Sequence, residues 1–227
     1  MGKIKENKYV VNANNYWNSA HIIDSFSNAA VKDYIKDFFK NYDPINNLKV
    51  ADLGCGAGRY TVWLAQNGYD VYACDDSIGM LSKTKKRLEK IKYKDIDRKI
   101  LKSRLEKLPF DDKMFDIVLT NGVIHNVYSS EEYKQCLKEC VRVLKSNGVL
   151  YLSVFTSDTV DEKLKKIDEH VYLTSDGLYM VLFSKEEIIQ MMSDLNFQIT
   201  DDFALYDIQV ETGVRSLFRA VYLQRNG

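Results

Sequence analysis

An α/β fold is predicted for this chain: a doubly wound, mostly parallel sheet closed by an antiparallel terminal hairpin. Three observations predict it. Short apolar runs alternate with helix-patterned segments between residues 48 and 155, the order that builds a parallel sheet with helices on both faces. A glycine-rich turn, Gly54-Cys55-Gly56-Ala57-Gly58, joins the first apolar run to the first helix of that series. Near the end of the sequence, Phe197 to Val210 and Val214 to Gln224 read as two strands joined by Glu211-Thr212-Gly213, and a hairpin forces antiparallel pairing.

The elements follow in order. Residues 1 to 15 are polar and rich in Asn, and are expected to be mobile until something binds. Ala30 to Lys40 carries Val31, Tyr34, Ile35, Phe38 and Phe39 at helical spacing, and Asp43-Pro44 breaks the chain before a strand at Leu48 to Leu53. A helix from Arg59 to Asn67 ends at Gly68, and a strand from Asp70 to Cys74 ends in Asp75-Asp76. Ser77 to Lys90 reads as a helix, Ile100 to Ser103 and Phe115 to Thr120 as strands, Glu131 to Leu144 as a helix and Val149 to Phe155 as a strand. Ser184 to Leu195 reads as a helix opened by a capping box, Ser184 with Glu187. Residues 156–183 interrupt the plan. Within them Thr159 to Asp168 is charged with helical character, and His170 to Leu173 and Leu178 to Phe183 flank a turn at Ser175-Asp176-Gly177. An insert at the carboxyl edge of such a sheet is expected to act as a small lid.

Composition narrows the function classes. The 227 residues carry 32 basic and 32 acidic side chains, a net charge of zero, which argues against a general attraction to nucleic acid or to an anionic membrane. No apolar run approaches a membrane span, and Met1 to Lys8 lacks the apolar core of a signal peptide. The Met1-Gly2 start has Glu6 where a myristoylation signal has Ser or Thr. A cytoplasmic, single-domain protein is the expectation. Lys83 to Arg104 holds eleven basic and three acidic residues, with only Tyr93 available for stacking, which fits a solvated face better than an RNA site. Cys55, Cys74, Cys136 and Cys140 form no C-x-x-C pair, so core packing is expected and no metal site.

The glycine turn carries the chemistry. Alternate glycines let a ligand lie against bare main chain. The spacing Asp52-x-Gly54-x-Gly56-x-Gly58 differs from the G-x-G-x-x-G of dinucleotide enzymes. Asp75, 21 residues after Gly54, is placed to accept the hydroxyls of a ribose. Three later stretches complete the pattern: Ala73 to Leu81 with Asp75, Asp76 and Met80; Leu105-Glu106-Lys107-Leu108-Pro109-Phe110 followed by Phe115 to Asn121; and Cys140 to Leu150. Together these resemble, in order over roughly residues 48–155, the class I S-adenosylmethionine (SAM) methyltransferases. Arg104 stands where many relatives carry an aspartate near the adenine, and Ser146-Asn147 replaces the usual Pro-Gly.

The resemblance implies a Rossmann-like methyltransferase fold with SAM as cofactor and a small-molecule acceptor. It implies that Gly54, Gly56 and Gly58 face the methionine end, with Asp52 and Cys55 in the same turn. It assigns Asp75 to the ribose, Asp76 to a secondary contact, Met80, Leu105 and Glu106 to the nucleoside side and Asn121 to the sulfonium end. An N-terminal segment, residues 1–45, would close over the cofactor, with Tyr16 and Trp17 as binding residues. A sulfonium is already activated, so the protein mainly positions the methyl group and its acceptor and excludes water. Where a general base is needed, His125 is the candidate, because it follows the fourth strand at the carboxyl edge. His21 and His170 read as structural or solvent-facing, and Tyr172, Tyr179, Tyr206 and Arg215 are available to an acceptor pocket. Two other readings are a SAM-binding sensor on the same fold and a nicotinamide-dependent reductase. The second lacks both its glycine spacing and any Tyr-x-x-x-Lys.

Overall fold

The computed structural model describes residues 12–210 and 213–225. Residues 1–11, 211–212 and 226–227 lie outside the described residues, and so do the expectations that fall on them.

The sequence alternation becomes one seven-stranded sheet. The first half runs β1 (Lys49–Leu53), β2 (Asp70–Asp75), β3 (Ile100–Lys102), β4 (Phe115–Asn121) and β5 (Leu144–Val160), all parallel. In front of these strands come a helical segment, α1, at residues 12–17, then α2 (Ala20–Asn28) and α3 (Asp33–Phe39). Between them run α4 (Arg59–Gln66), α5 (Ile78–Lys90), the short α6 (Ile96–Lys99) and α7 (Ser130–Val143). The insert forms a separate three-stranded sheet of β6 (Lys165–Lys166), β7 (Val171–Leu173) and β8 (Tyr179–Val181). Then α8 (Lys185–Asp194) leads to β9 (Phe197–Val210) and β10 (Gly213–Gln224). The large sheet is ordered β3-β2-β1-β4-β5-β10-β9, with β10 antiparallel to both neighbours. The terminal hairpin therefore inserts its second strand beside β5. Strand order reverses between β1 and β4, and the crevice at their carboxyl ends is where an open α/β sheet binds ligands.

Local chemistry accounts for the helix starts. Ser77, Ser129 and Ser184 each accept the N–H of the third helical residue, an orphan donor of the first turn. At α8 the Glu187 carboxylate also accepts the Ser184 N–H, completing the capping box. One core packs α7 and α8 onto the sheet through Tyr133, Cys136, Cys140, Ile188 and Met192. The other packs α3 and α4 onto the opposite face through Ile35, Phe38, Phe39 and Leu64. All four cysteines are buried and unpaired, in these cores and beneath the glycine turn.

Two expectations change. Thr159 to Asp168 is not helical: β5 runs on to Val160, which pairs with Arg215 of β10, and β6 follows. The long hairpin supplies backbone partners that outweigh local propensity. The insert thus begins after Val160, and it closes on a small core of its own, Leu164, Tyr172, Met180 and Leu182. No described helix is long and apolar enough to cross a membrane.

Candidate active site

The glycine turn is a left-handed backbone: Gly54, Gly56 and Gly58 have φ of 70°, 54° and 79°. Only glycine adopts such angles without cost. At Gly54 space is closed as well, since a Cβ there would sit 2.3 Å from Val123 Cγ2. The Gly54 and Cys55 N–H groups both donate to the Cys74 carbonyl, at 2.8 and 3.0 Å, which fastens the turn to the end of β2.

Asp75 makes the second fastening. Its Oδ2 accepts the Gly56 N–H at 2.8 Å and its Oδ1 accepts the Ser77 N–H at 2.9 Å. Burial pushes this carboxyl up from its ordinary range, and the two N–H donors pull it back. The sequence reading gives Asp75 only a ribose to bind. Here the carboxylate organises both the glycine turn and the start of α5. An ionised carboxylate offers about four lone-pair sites, so two remain for a ligand.

The N-terminal helices lie over this turn. Asn18 Oδ1 accepts the Gly79 N–H at 2.7 Å, and the Ser77 hydroxyl sits 3.1 Å from the Trp17 carbonyl and 3.0 Å from Asn18 Oδ1. Lys83 pairs with Asp24 at 3.1 Å across the same contact. A cavity, partly open to solvent, is left between these helices, the turn and the carboxyl ends of β2 and β4.

Nine of the sequence-derived site residues line that cavity. Trp17 comes from the N-terminal helices, and Gly54 and Gly56 from the turn. Asp75, Asp76 and Met80 follow β2, while Leu105, Glu106 and Asn121 close the far side. Five of the candidates do not line it. Tyr16 packs edge-on against Trp17, with ring centres 5.0 Å apart. Cys55 is buried beneath the turn, and a Cβ on Gly58 would meet the Thr84 side chain at 2.8 Å. Asp52 is buried and accepts the Thr61 hydroxyl at 2.6 Å, with burial pushing its carboxyl up to about 6. It ties β1 to α4 from below.

The fifth is His125, and it is not a general base here. It is 1% exposed, its Nδ1 accepts the Phe155 N–H at 3.1 Å, and its ring lies 4.5 Å from the Phe155 ring. Burial and the nearby Arg215 charge press it down to about 3, so it stays neutral with its proton on Nε2. The residue does stand at the carboxyl edge, but its side chain turns inward between β5 and the insert. The insert is not a cover either. None of residues 156–183 lines the cavity. They brace the loop after β4 instead, through the Val181 N–H on the His125 carbonyl at 2.9 Å and Tyr179 at 6.1 Å from Tyr128. Tyr172, Tyr206 and Arg215 are likewise absent from the lining.

Known proteins share this fold. A family model described as "Methyltransferase domain" matches residues 51–152. A ubiquinone biosynthesis O-methyltransferase of Rickettsia typhi is 25% identical over 211 residues, covering 88% of this chain and 82% of that protein. The chain belongs to the class I SAM-dependent methyltransferases. A demethylmenaquinone methyltransferase of Clavibacter sepedonicus is 27% identical over 154 residues, covering 66% of this chain and 59% of the relative. In fold, the methyltransferase resembles the 1,6-didemethyltoxoflavin-N1-methyltransferase of Burkholderia thailandensis, solved with S-adenosylhomocysteine bound. The TM-score is 0.69 at 17% identity, covering 97% of this chain and 90% of that one. The cofactor of the methyltransferase is SAM.

The residues of the methyltransferase cavity fit that cofactor. Gly56 brings main chain to the cavity wall with only the Phe26 ring near its absent Cβ, at 3.6 Å. Asn121 lines the cavity and donates its Nδ2 to the Tyr60 hydroxyl at 3.1 Å, while its Oδ1 is buried with no partner among the described residues. Such an acceptor suits an ammonium group. Sequence reasoning missed Asn14 and Phe26 on the N-terminal helices and Val123, Asn126 and Tyr128 in the loop after β4. The position of that loop at the carboxyl edge was the available signal.

Proposed function

We propose that this enzyme methylates a small molecule, and that a ring carrying an acidic hydroxyl is the acceptor class to try first. One observation carries the cofactor half of the reading: a single cavity gathers the left-handed glycine turn, the Asp75 carboxylate bonded to it and the unpartnered Asn121 Oδ1. On this reading Gly54, Gly56 and Asn121 hold the amino-acid end and Asp75 the ribose. Trp17 closes the cleft, with residues 1–45 as the closing segment and Met80, Leu105, Glu106 and Asp76 on the nucleoside side. Bound SAM supplies an activated methyl group. The chain's own work is to orient it and to keep water out behind Trp17 and Phe26.

The acceptor half rests on two supports. Two relatives named above are a ubiquinone biosynthesis O-methyltransferase and a demethylmenaquinone methyltransferase, and the first name gives oxygen as the accepting atom. And no histidine lines the cavity, whose carboxylates cluster at the nucleoside side. An acceptor that ionises near neutral pH needs no base from the protein. The test is a panel of phenols, hydroquinones, amines and carboxylates, read as S-adenosylhomocysteine released per enzyme. Turnover confined to ring hydroxyls of low pKa is the expected result. A folded enzyme that turns over only amines would reject the acceptor assignment.

A further inference from the structure

Two arginines gather beside the cofactor cavity with no carboxylate paired to either among the described residues. Asn121, which lines the cavity, donates to the Tyr60 hydroxyl at 3.1 Å, and the Tyr60 hydroxyl bonds that of Tyr34. The Arg219 guanidinium lies over the Tyr34 ring at 4.4 Å, and the Tyr206 ring stands 5.8 Å from it. Its Nη1 donates to the Tyr151 hydroxyl at 3.2 Å, and its Nε is buried with no partner among the described residues. Arg59 lies over the Tyr60 ring at 4.5 Å. Burial pushes the Tyr34 phenol up, and the charges of Arg59 and Arg219 both pull it back. Asp52 and Asp202 act on Tyr60 and Tyr151 from beyond pairing distance of either guanidinium.

Sheet register sets the reach of this cluster. Asn121 of β4 and Arg219 of β10 both pair with Ser153 of β5. At about 4.8 Å between strands, their backbones are roughly 10 Å apart. Arg219 alternates with Val221 and shares the α3 and α4 face with Tyr151. Tyr206, 37% exposed, brings the cluster to solvent. Like charges gathered in this way repel, and ring faces supply only part of the compensation. An oxyanion supplies the rest, since a guanidinium offers a fork of N–H donors that matches a carboxylate. We propose that Arg219, with Arg59, binds a carboxylate carried by the methyl acceptor, and so holds the acceptor ring between this cluster and the methyl group. The proposal deepens the function proposed above and rests on it. It narrows the acceptor to a hydroxylated ring whose carboxylate lies away from the hydroxyl that is methylated.

The test titrates the S-adenosylhomocysteine-saturated protein with dihydroxybenzoate and with dihydroxybenzamide, which share a shape and differ in charge. The wild type is expected to bind the benzoate at least tenfold more tightly, about the worth of one charge-assisted hydrogen bond. Arg219→Met keeps an apolar stem on the Tyr34 ring and removes the charge, so the two ligands are expected to bind alike. Arg219→Lys keeps the charge without the fork and is expected to lose at least about threefold of the preference. A side chain that only fastens α3 to the sheet would change the melting temperature and leave the ratio of the two affinities untouched. Equal binding of the two ligands by the wild type, binding of neither, or an unchanged ratio in either variant overturns the proposal while leaving the cofactor site intact. Failure of the wild type to bind S-adenosylhomocysteine at all refutes instead the function on which the proposal rests.

Discussion

Replacing Asp75 with alanine separates a ligand contact from a structural one. The carboxylate accepts two backbone N–H groups, from Gly56 at 2.8 Å and Ser77 at 2.9 Å, in a partly buried site. Alanine leaves both donors without that acceptor. Each unsatisfied buried donor costs about 1–3 kcal/mol, and water from the open side of the cavity offsets part of this, so a loss of about 2–4 kcal/mol is expected. For a chain of this size each kcal/mol lowers Tm by about 2–4 °C, which puts the drop at roughly 4–16 °C. Affinity for S-adenosylhomocysteine should fall at least tenfold, because the ribose loses a charged acceptor and the turn loses its anchor. Asp76→Ala is the control. Asp76 faces Lys102 at 3.6 Å on the surface, a pair worth about 0–1 kcal/mol, and it should move Tm by less than about 4 °C. Calorimetric melts and titrations below the lower Tm measure both effects. An Asp75→Ala protein that melts with the wild type, or one no different from Asp76→Ala, refutes the assignment of Asp75 as the anchor of the turn.

Other substitutions read other parts of the account. Gly54→Ala places a Cβ 2.3 Å from Val123 Cγ2 at φ 70°, so S-adenosylhomocysteine binding should be lost. Adding Val123→Ala should restore it only in part, because the left-handed strain of about 1–2 kcal/mol remains; full rescue would contradict the strain argument. Burial pushes the Asp52 carboxyl up to about 6, above the ordinary carboxylate range, so its contribution to stability falls as pH rises through that window. Asp52→Asn keeps an acceptor for Thr61 and removes the buried charge. Its Tm relative to wild type should be higher at pH 7.5 than at pH 4.5, and a pH-independent difference would show that the carboxyl is not strained by burial. His125→Gln should lower stability while leaving the pH profile of turnover unchanged above pH 6; loss of a limb near neutral pH would restore His125 as a base.

Much of this site is legible in sequence because main chain makes it. The glycine spacing permits the left-handed backbone that the turn adopts, and Asp75 follows from the length of one βαβ unit. The serine caps of α5 and α8 are equally local signals. What fails depends on where a side chain turns after its strand ends. His125 and Asn126 are adjacent beyond β4, yet Asn126 lines the cavity and His125 is buried against Phe155. Gly58 and Asp52 belong to the motif but act beneath it, against Thr84 and Thr61. The strand at Val160 depends on Arg215, more than 50 residues away, and no local pattern announces it. Arg104 reads in sequence as a departure from the family. Its pairing with Glu106 and Glu132 over the Tyr128 ring depends on side chains from separate segments and is not a local signal.

The central claim is that the cavity between the glycine turn and the N-terminal helices is the SAM site. Calorimetric titration of the folded wild-type chain with S-adenosylhomocysteine, beside the Gly54→Ala variant, tests it most directly. Saturable binding at one site per chain, abolished by the added Cβ, is the expected result. A folded wild type that gives no binding heat, or a Gly54→Ala protein that binds as tightly as wild type, contradicts the account.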